Sequence, residues 1–143
     1  MQRIVVGVDG SDNARRALEW AIAEAKIRRA QLTVVSAWQI PSVVLASPVA
    51  MAAYDEEVWR DAATEAVDAA LQSVAEDDLP AGLERRVIEG PPAKVLVDAG
   101  KDADMIVVGS RGRGGFAGLL LGSVSQQVAQ HASCPVVIVP QER

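Results

Sequence analysis

Short, almost wholly apolar runs alternate along the chain with amphipathic stretches. The runs are rich in β-branched residues and end at turn residues, which is typical of buried strands. Five are predicted as strands: QRIVVGVD, QLTVVSAW, LERRVIEG, DADMIVVG and PVVIVP. Apart from the more mixed third run, they lack the polar alternation of a half-exposed sheet. The pattern therefore favours parallel strands that are covered on both faces.

The stretches between these runs carry helical periodicity. The first, residues 10–30, has Ser11 or Asp12 as a candidate N-cap. Its predicted buried face consists of small and aliphatic residues: Ala14, Ala17, Leu18, Ala21, Ile22 and Ala25. A long acidic helix is predicted from about Tyr54 to Glu76. Its predicted buried side holds Val58, Ala62, Ala66, Ala69 and Val74.

Two shorter helices are predicted nearer the end of the chain. PPAKVLVDAG places proline in the first turn and Gly100 at the stop. GSVSQQVAQHA forms the last helix, in which Ser123 and Gln126 have the spacing of a capping box. Residues 39–53 contain two prolines and are too apolar for an ordinary solvent loop. We expect them to fold back over another part of the protein.

This alternation predicts an α/β fold: a doubly wound five-stranded parallel sheet of order 3-2-1-4-5, with helices on both faces. Residues 1–143 are expected to form one domain, because the length suits one and no linker or repeat interrupts it. Ligands of such sheets bind beyond the carboxyl ends of the strands, where the winding reverses. That point lies between the first and fourth strands, so the loops VDGSD and GSRGRGGFAGLLLGS are expected to meet there.

The second of these loops, residues 109–123, holds six glycines, two arginines and no carboxylate. Closely spaced glycines let backbone amides approach an anion, and a following helix N-terminus adds unpaired amides. A phosphate cradle is therefore one interpretation, with charge from Arg111 and Arg113. A plain surface loop is the other. The sequence has no G-x-x-x-x-G-K-[ST], which excludes the usual P-loop.

Composition narrows the classes of function. A net charge of −5 and only 3% aromatic residues disfavour a nucleic-acid surface. No apolar run reaches the roughly 18 residues of a membrane span, so none is expected. The single cysteine, Cys134, fits a reducing cytoplasm. His131 and Cys134 are too distant from the expected crevice to suggest a hydrolase triad. Trp38 has two possible roles, as a packing residue or as a neighbour of a bound base.

The spacing G-x2-G-x9-G-[ST], here Gly109, Gly112, Gly122 and Ser123, resembles the nucleotide-binding motif of the universal stress protein family. IVVGVDGSDNARRALEWA is similar to that family's first strand and helix, and SCPVVIVP to its last strand. The order of elements agrees along nearly the whole chain. The resemblance implies a cytoplasmic, ATP-binding stress-response protein that takes ATP with Mg²⁺.

The resemblance also implies roles for particular positions. Asp9 would contact the nucleoside, the backbone near Ala37 would meet the adenine edge, and Arg111 is a candidate phosphate contact. The ribose and phosphates would be lined by Val108, Gly109 and Gly112. The phosphates would be held at the last helix by Gly122, Ser123, Val124 and Ser125. Pairing of two copies through the last strand, residues 135–139, implies a homodimer.

Three classes of function remain open on sequence alone. The first is a regulatory module that binds ATP and acts on a protein partner that the sequence does not identify. The second is a slow ATPase or a self-phosphorylating enzyme, for which Ser110, Ser123 and Ser125 are conceivable acceptors. No group is evident that would orient a nucleophile for phosphoryl transfer. The third is a nucleotide-free dimer that binds a partner through residues 40–53.

Overall fold

The computed structural model describes residues 2–111 and 121–141. Five parallel strands form one sheet in the order β3-β2-β1-β4-β5. Their bounds are β1 Arg3–Gly7, β2 Gln31–Trp38, β3 Glu84–Glu89, β4 Met105–Gly109 and β5 Val136–Val139. The predicted fold class and strand order are confirmed. β1 pairs with β2 on one side and β4 on the other, so the winding reverses between β1 and β4.

Helices connect the strands on both sides of the sheet. Within the described residues they are α1 Asp12–Arg28, α2 Ser42–Leu45, α3 Pro48–Ala53, α4 Glu56–Gln72, α5 Pro92–Ala99 and α6 Ser123–His131. The Ser11 hydroxyl caps α1 by accepting a hydrogen bond from the Ala14 amide at 3.1 Å, as one of the two predicted caps. The six residues predicted for its apolar face are all buried.

Two hydrophobic layers enclose the sheet. On one face, α1 and α4 pack over side chains such as Val6, Leu32 and Val107. On the other, α5 and α6 pack over Val35 and Val108, among others. Alternate residues of each strand serve opposite layers, so these strands read as continuous apolar runs. Burying one such aliphatic side chain contributes about 1.5–3 kcal/mol.

The predicted buried side of the long helix is wrong by about one position, except at Val74, which packs against the core just beyond the end of α4. α4 buries Ala63, Val67, Ala70 and Leu71, whereas Val58 is 60% exposed. Alanines on adjacent positions give this helix two faces of similar hydrophobicity, so periodicity alone did not select between them. The tertiary contacts with β2 and β3 made that selection.

Residues 39–53 contain α2 and α3, neither of which was predicted. Neither helix has a buried residue, and several large side chains face outward: Val43, Leu45, Val49 and Met51. The large apolar side chains of this segment therefore do not pack over the rest of the protein, contrary to the expectation.

Candidate functional site

A crevice opens at the carboxyl ends of β1, β2 and β4, where the winding reverses. Its lining comes from the strand ends, the loop after β1, and the starts of α1, α5 and α6. The lining residues are Gly7, Val8, Asp9, Ala14, Val35, Ala37, Pro92, Leu96, Val108, Gly109, Arg111, Val124 and Ser125. Seven of the ten residues named by the motif and its resemblance are therefore brought together here.

The crevice has an apolar floor and a polar rim. The floor is made by aliphatic side chains such as Val35 and Leu96, while Asp9 and Arg111 stand at its edge. The centre of a water molecule can occupy about 100 Å³ of it. That is several times the space that one water needs. An apolar cleft with a few convergent polar groups is the usual form of a small-molecule site.

Asp9 organises the turn that leads from β1 into α1. Its Oδ1 accepts hydrogen bonds from the Ser11 amide at 2.9 Å and the Ser11 hydroxyl at 2.6 Å. Gly10, with φ of +86°, allows the sharp reversal between them. Asp9 therefore braces the helix start and also lines the crevice, so the two roles considered for it are compatible.

Ala37 and Trp38 illustrate how strand alternation divides the site. Ala37 faces the crevice and the α5 layer. Its neighbour Trp38 points to the opposite face, where the Arg60 guanidinium of α4 lies 5.5 Å from the ring centroid. Trp38 is only 7% exposed and does not line the crevice. Its role is packing, so the possibility that it adjoins a bound base is not supported.

Gly109 lies at the end of β4 against α1. A Cβ atom at this position would come within 2.9 Å of Asn13 Cγ and 3.0 Å of the Asn13 backbone oxygen. Glycine is thus required here by packing, whether or not a ligand binds. Val108, the preceding residue, is buried and lines the same wall of the crevice.

The two ends of the glycine loop are joined by hydrogen bonds. The Ser110 carbonyl accepts from the Gly122 amide at 2.6 Å and from the Ser125 hydroxyl at 2.9 Å. Ser110 and Ser125 are both buried, at 7% and 2% exposure. Their hydroxyls take part in this internal network, which makes them poor candidates for phosphoryl acceptors. Gly112 lies outside the described residues.

The N-terminus of α6 faces the crevice. Gly122 is the N-cap, so the predicted capping role of Ser123 is wrong: Ser123 is the first helical residue and its side chain is exposed. Gln126 is the residue whose amide reaches the Gly122 carbonyl, at 3.0 Å. The amides of Ser123, Val124 and Ser125 precede it and have no acceptor inside the helix. They form a set of donors at the positive end of the helix dipole.

Asn13 lies behind the crevice and was not predicted from the sequence to support it. Six lining residues were likewise not predicted as part of the site: Gly7, Val8, Ala14, Val35, Pro92 and Leu96. The Asn13 side chain is 6% exposed and contacts the ends of β4 and β5 through three hydrogen bonds. A polar residue in the first turn of a helix is usually solvated or part of a cap, and nothing in the local pattern distinguishes this one. Its partners lie about a hundred residues away, so only the tertiary structure reveals them.

His131 and Cys134, the two residues weighed in the sequence for a hydrolase triad, do not line the crevice. His131 is exposed at the end of α6. Burial, and then the negative charge of Asp104, raises the pKa of the Cys134 thiol, which lowers its thiolate fraction at neutral pH. Within residues 2–111 and 121–141, no group of three or more histidine, cysteine or carboxylate side chains is placed to hold a metal ion. In the same ranges, no helix is both long and apolar enough to cross a bilayer.

Together the sheet order and the crevice define a doubly wound α/β protein with an open crevice at its switch point, where sheets of this kind bind ligands. A sequence profile of the Universal stress protein family matches residues 1–140. A universal stress protein of Mycobacterium tuberculosis strain H37Rv is 37% identical over 142 residues. The match covers 97% of this chain and 48% of that protein, so this chain spans about half the length of that relative. The chain belongs to the universal stress protein family.

Solved structures of the family share the fold. A universal stress protein in complex with cAMP is 32% identical, with a TM-score of 0.68 and 96% of each chain covered. A universal stress protein from Archaeoglobus fulgidus in complex with dAMP is 26% identical, with a TM-score of 0.71. That match covers 97% of this chain and 98% of the other. Both neighbours hold adenine nucleotides.

Proposed function

We propose that this chain binds ATP, with Mg²⁺, in the crevice at the switch point and acts as a cytoplasmic regulatory protein of the stress response. The observation that carries the proposal is the meeting of the apolar crevice with the N-terminus of α6 behind a glycine N-cap. An apolar floor suits a purine, and unpaired helix amides suit phosphate. The adenine nucleotides held by two relatives support the same ligand class.

The glycine at position 122 supports the phosphate assignment more strongly than the one at 109. Gly122 has φ of −76° and ψ of 171°, extended values that any residue adopts. Its backbone therefore does not require glycine. Close approach of an anion to the first amides of α6 gives a reason for the missing side chain. Gly109, in contrast, is already explained by Asn13.

We assign the parts of the nucleotide as follows. Asp9 contacts the nucleoside, and the backbone at Ala37 meets the adenine edge beside the floor of the crevice. The remaining wall and the phosphate end are assigned to Val108, Gly109, Arg111, Gly112, Gly122, Ser123, Val124 and Ser125. Arg111 adds positive charge where the phosphates would lie.

The described residues fit a metal that is carried by the nucleotide rather than by the protein. Asp9 is the one carboxylate among the described lining residues of the crevice. Mg²⁺ keeps several waters and is commonly bound through phosphate oxygens with one or two carboxylates. With Asp9 assigned to the nucleoside, Mg²⁺ would be held mainly by the phosphate oxygens and water, and it would neutralise phosphate charge.

Substitution of Gly122 by valine tests the assignment. The valine Cβ and methyl groups would occupy the path of the phosphates, so we expect loss of ATP binding with the fold retained. Isothermal titration with Mg-ATP measures the binding, and circular dichroism with urea unfolding measures the fold. The paired variant Ser123→Ala removes only a hydroxyl. It should bind within a few-fold of wild type, because backbone amides hold the phosphates.

Wild-type affinity in a folded Gly122→Val variant would show that the phosphates do not pass this position. An unfolded variant would move the test to Gly122→Ala, which adds a single methyl group. A folded Gly122→Ala protein that binds ATP no more weakly than wild type would equally contradict the assignment.

The edges of the sheet support a homodimer formed through residues 135–139. β5 lies at one edge, is uncharged, and exposes part of Val136, Val137 and Ile138. The opposite edge strand, β3, carries two arginines and two glutamates. Charged residues protect an edge strand from pairing, whereas an apolar edge invites it. We therefore place the dimer contact at β5.

A further inference from the structure

The Asn13 side chain joins three elements at the back of the crevice. Its Nδ2 donates to the Val139 carbonyl at 3.1 Å. Its Oδ1 accepts from the Ser110 hydroxyl at 3.1 Å and from the Arg111 amide at 2.7 Å. One amide group in the first turn of α1 thus ties together the ends of β4 and β5.

These bonds leave the chain little freedom at this point. The Val139 carbonyl also accepts a hydrogen bond from the Ser110 amide, at 2.9 Å. The ends of β4 and β5 are therefore joined both directly and through Asn13. The Asn13 side chain is buried, and an unpaired buried donor or acceptor is costly. Gly109 lies directly on Asn13, with no room for a Cβ atom between them. The backbone over residues 109–111 is therefore held by Asn13 together with its pairing to β5.

Residues 109–111 matter because they form a wall of the crevice. Gly109 and Arg111 line it, whereas Asn13 does not. The Ser110 carbonyl in turn holds the Gly122 amide and the Ser125 hydroxyl, which fixes the start of α6. Asn13 is therefore linked, through Ser110, to both surfaces that are assigned to phosphate. These are residues 109–111 and the start of α6.

We propose that Asn13 is the positioning residue of the nucleotide site: it holds residues 109–111 and, through Ser110, the N-terminus of α6 in the geometry that binds ligand. The proposal rests on the function proposed above. When a site is already ordered before the ligand binds, the binding free energy is not reduced by the cost of ordering it. Asn13 thus acts on the ligand through other residues rather than by contact.

The test compares two variants that both lose stability. Asn13→Ala removes the three side-chain bonds. Val67→Ala removes methyl groups from a fully buried position on α4 that does not line the crevice, and serves as the control. Both are titrated with Mg-ATP at a temperature where urea curves show them to be folded. We expect a Kd roughly tenfold higher for Asn13→Ala, as for loss of a buried hydrogen bond, and a Kd within twofold of wild type for Val67→Ala.

An equal Kd for Asn13→Ala and wild type would overturn the proposal and leave Asn13 a purely structural residue. If Asn13→Ala does not fold, Asn13→Ser takes its place. Serine keeps one polar group at the start of α1 but is too short to reach both strand ends. The same increase in Kd is expected, and its absence again overturns the proposal.

Hydrogen exchange separates this inference from the proposed function. In nucleotide-free protein, the Arg111 and Ser110 amides should exchange at least tenfold faster in Asn13→Ala, relative to the Val6 amide in β1. No such change is expected in Val67→Ala. If wild type binds no nucleotide, the proposed function is wrong and these rates alone decide whether Asn13 holds the wall. Unchanged relative rates would refute that.

Discussion

Gly109 and Gly122 both lack a side chain beside the crevice, and different neighbours account for each. At Gly109 the neighbour belongs to the protein, because Asn13 occupies the space that a Cβ would take. At Gly122 the backbone is extended and permits any residue, although the position is buried. The neighbour that we propose for it is the phosphate of a nucleotide. The two glycines of one motif thus have separable origins.

This distinction predicts the effect of Gly109→Ala. The added methyl group would press on the Asn13 backbone oxygen as well as its side chain, so relief requires a shift of α1 or β4. We expect the free energy of unfolding to fall by about 1–3 kcal/mol, as for other overpacked sites. Urea unfolding measures this directly. Unchanged stability with lost nucleotide binding would instead mean that Gly109 serves the ligand alone.

Among individual residues, more of those that line the crevice could be predicted from the sequence than of those that hold the lining in place. Asp9, Ala37 and Val108 could be located because each follows or ends an apolar run, and the strand ends meet at the switch point. Asn13 could not, because its three partners are far away in sequence. The bonds of the Ser110 carbonyl to Gly122 and Ser125 were not predicted either, because they depend on how the two ends of the glycine loop come together.

Among the elements, strands were easier to predict than helix faces. Four of the five strands are short β-branched runs with one plausible assignment, and the observed order is the doubly wound one that such an alternation of strands and helices favours. α4 was harder because its alanines form two comparable faces, and its burial is decided by β2 and β3. α2 and α3 were missed because prolines and short lengths make their sequences resemble a loop.

The proposed dimer contact at β5 can be tested by removing a hydrogen-bond donor from the outer edge of that strand. The Ile106 amide donates to Pro135, and the Ser110 amide to Val139, so the Ile138 amide points away from β4 because amides alternate along a parallel strand. Ile138→Pro removes that outward donor while sparing the bonds to β4. We expect a dimer of wild type to dissociate to monomer, which sedimentation velocity measures.

A matched control exists on the other edge. The Gly90 amide donates to Trp38, so by the same alternation the Val87 amide of β3 points outward. Val87→Pro should leave the association state unchanged. A dimer that survives Ile138→Pro but is lost in Val87→Pro would place the interface at β3. A dimer that survives both would place it away from the sheet edges.

For the whole molecule, ligand binding and folding are linked. A nucleotide that binds the folded state and not the unfolded state raises the free energy of unfolding. The increase is roughly 2.7 kcal/mol when the nucleotide concentration is 100 times the dissociation constant. For a chain of 143 residues this corresponds to a rise of several degrees in Tm. The crevice joins β1, β2, β4 and α6, so its occupancy should stabilise the whole sheet rather than one loop.

Nucleotide binding in the crevice is best tested by measuring Tm as a function of nucleotide, with Mg²⁺ present. ATP, ADP, AMP, GTP and FMN are titrated against wild type and Gly122→Val, after any nucleotide that copurifies has been released by denaturation and identified by chromatography. We expect a rise of several degrees with ATP, a smaller or absent rise with GTP and FMN, and no ATP response in the variant. No rise with any adenine nucleotide, in protein shown to be free of bound nucleotide, would contradict nucleotide binding in the crevice.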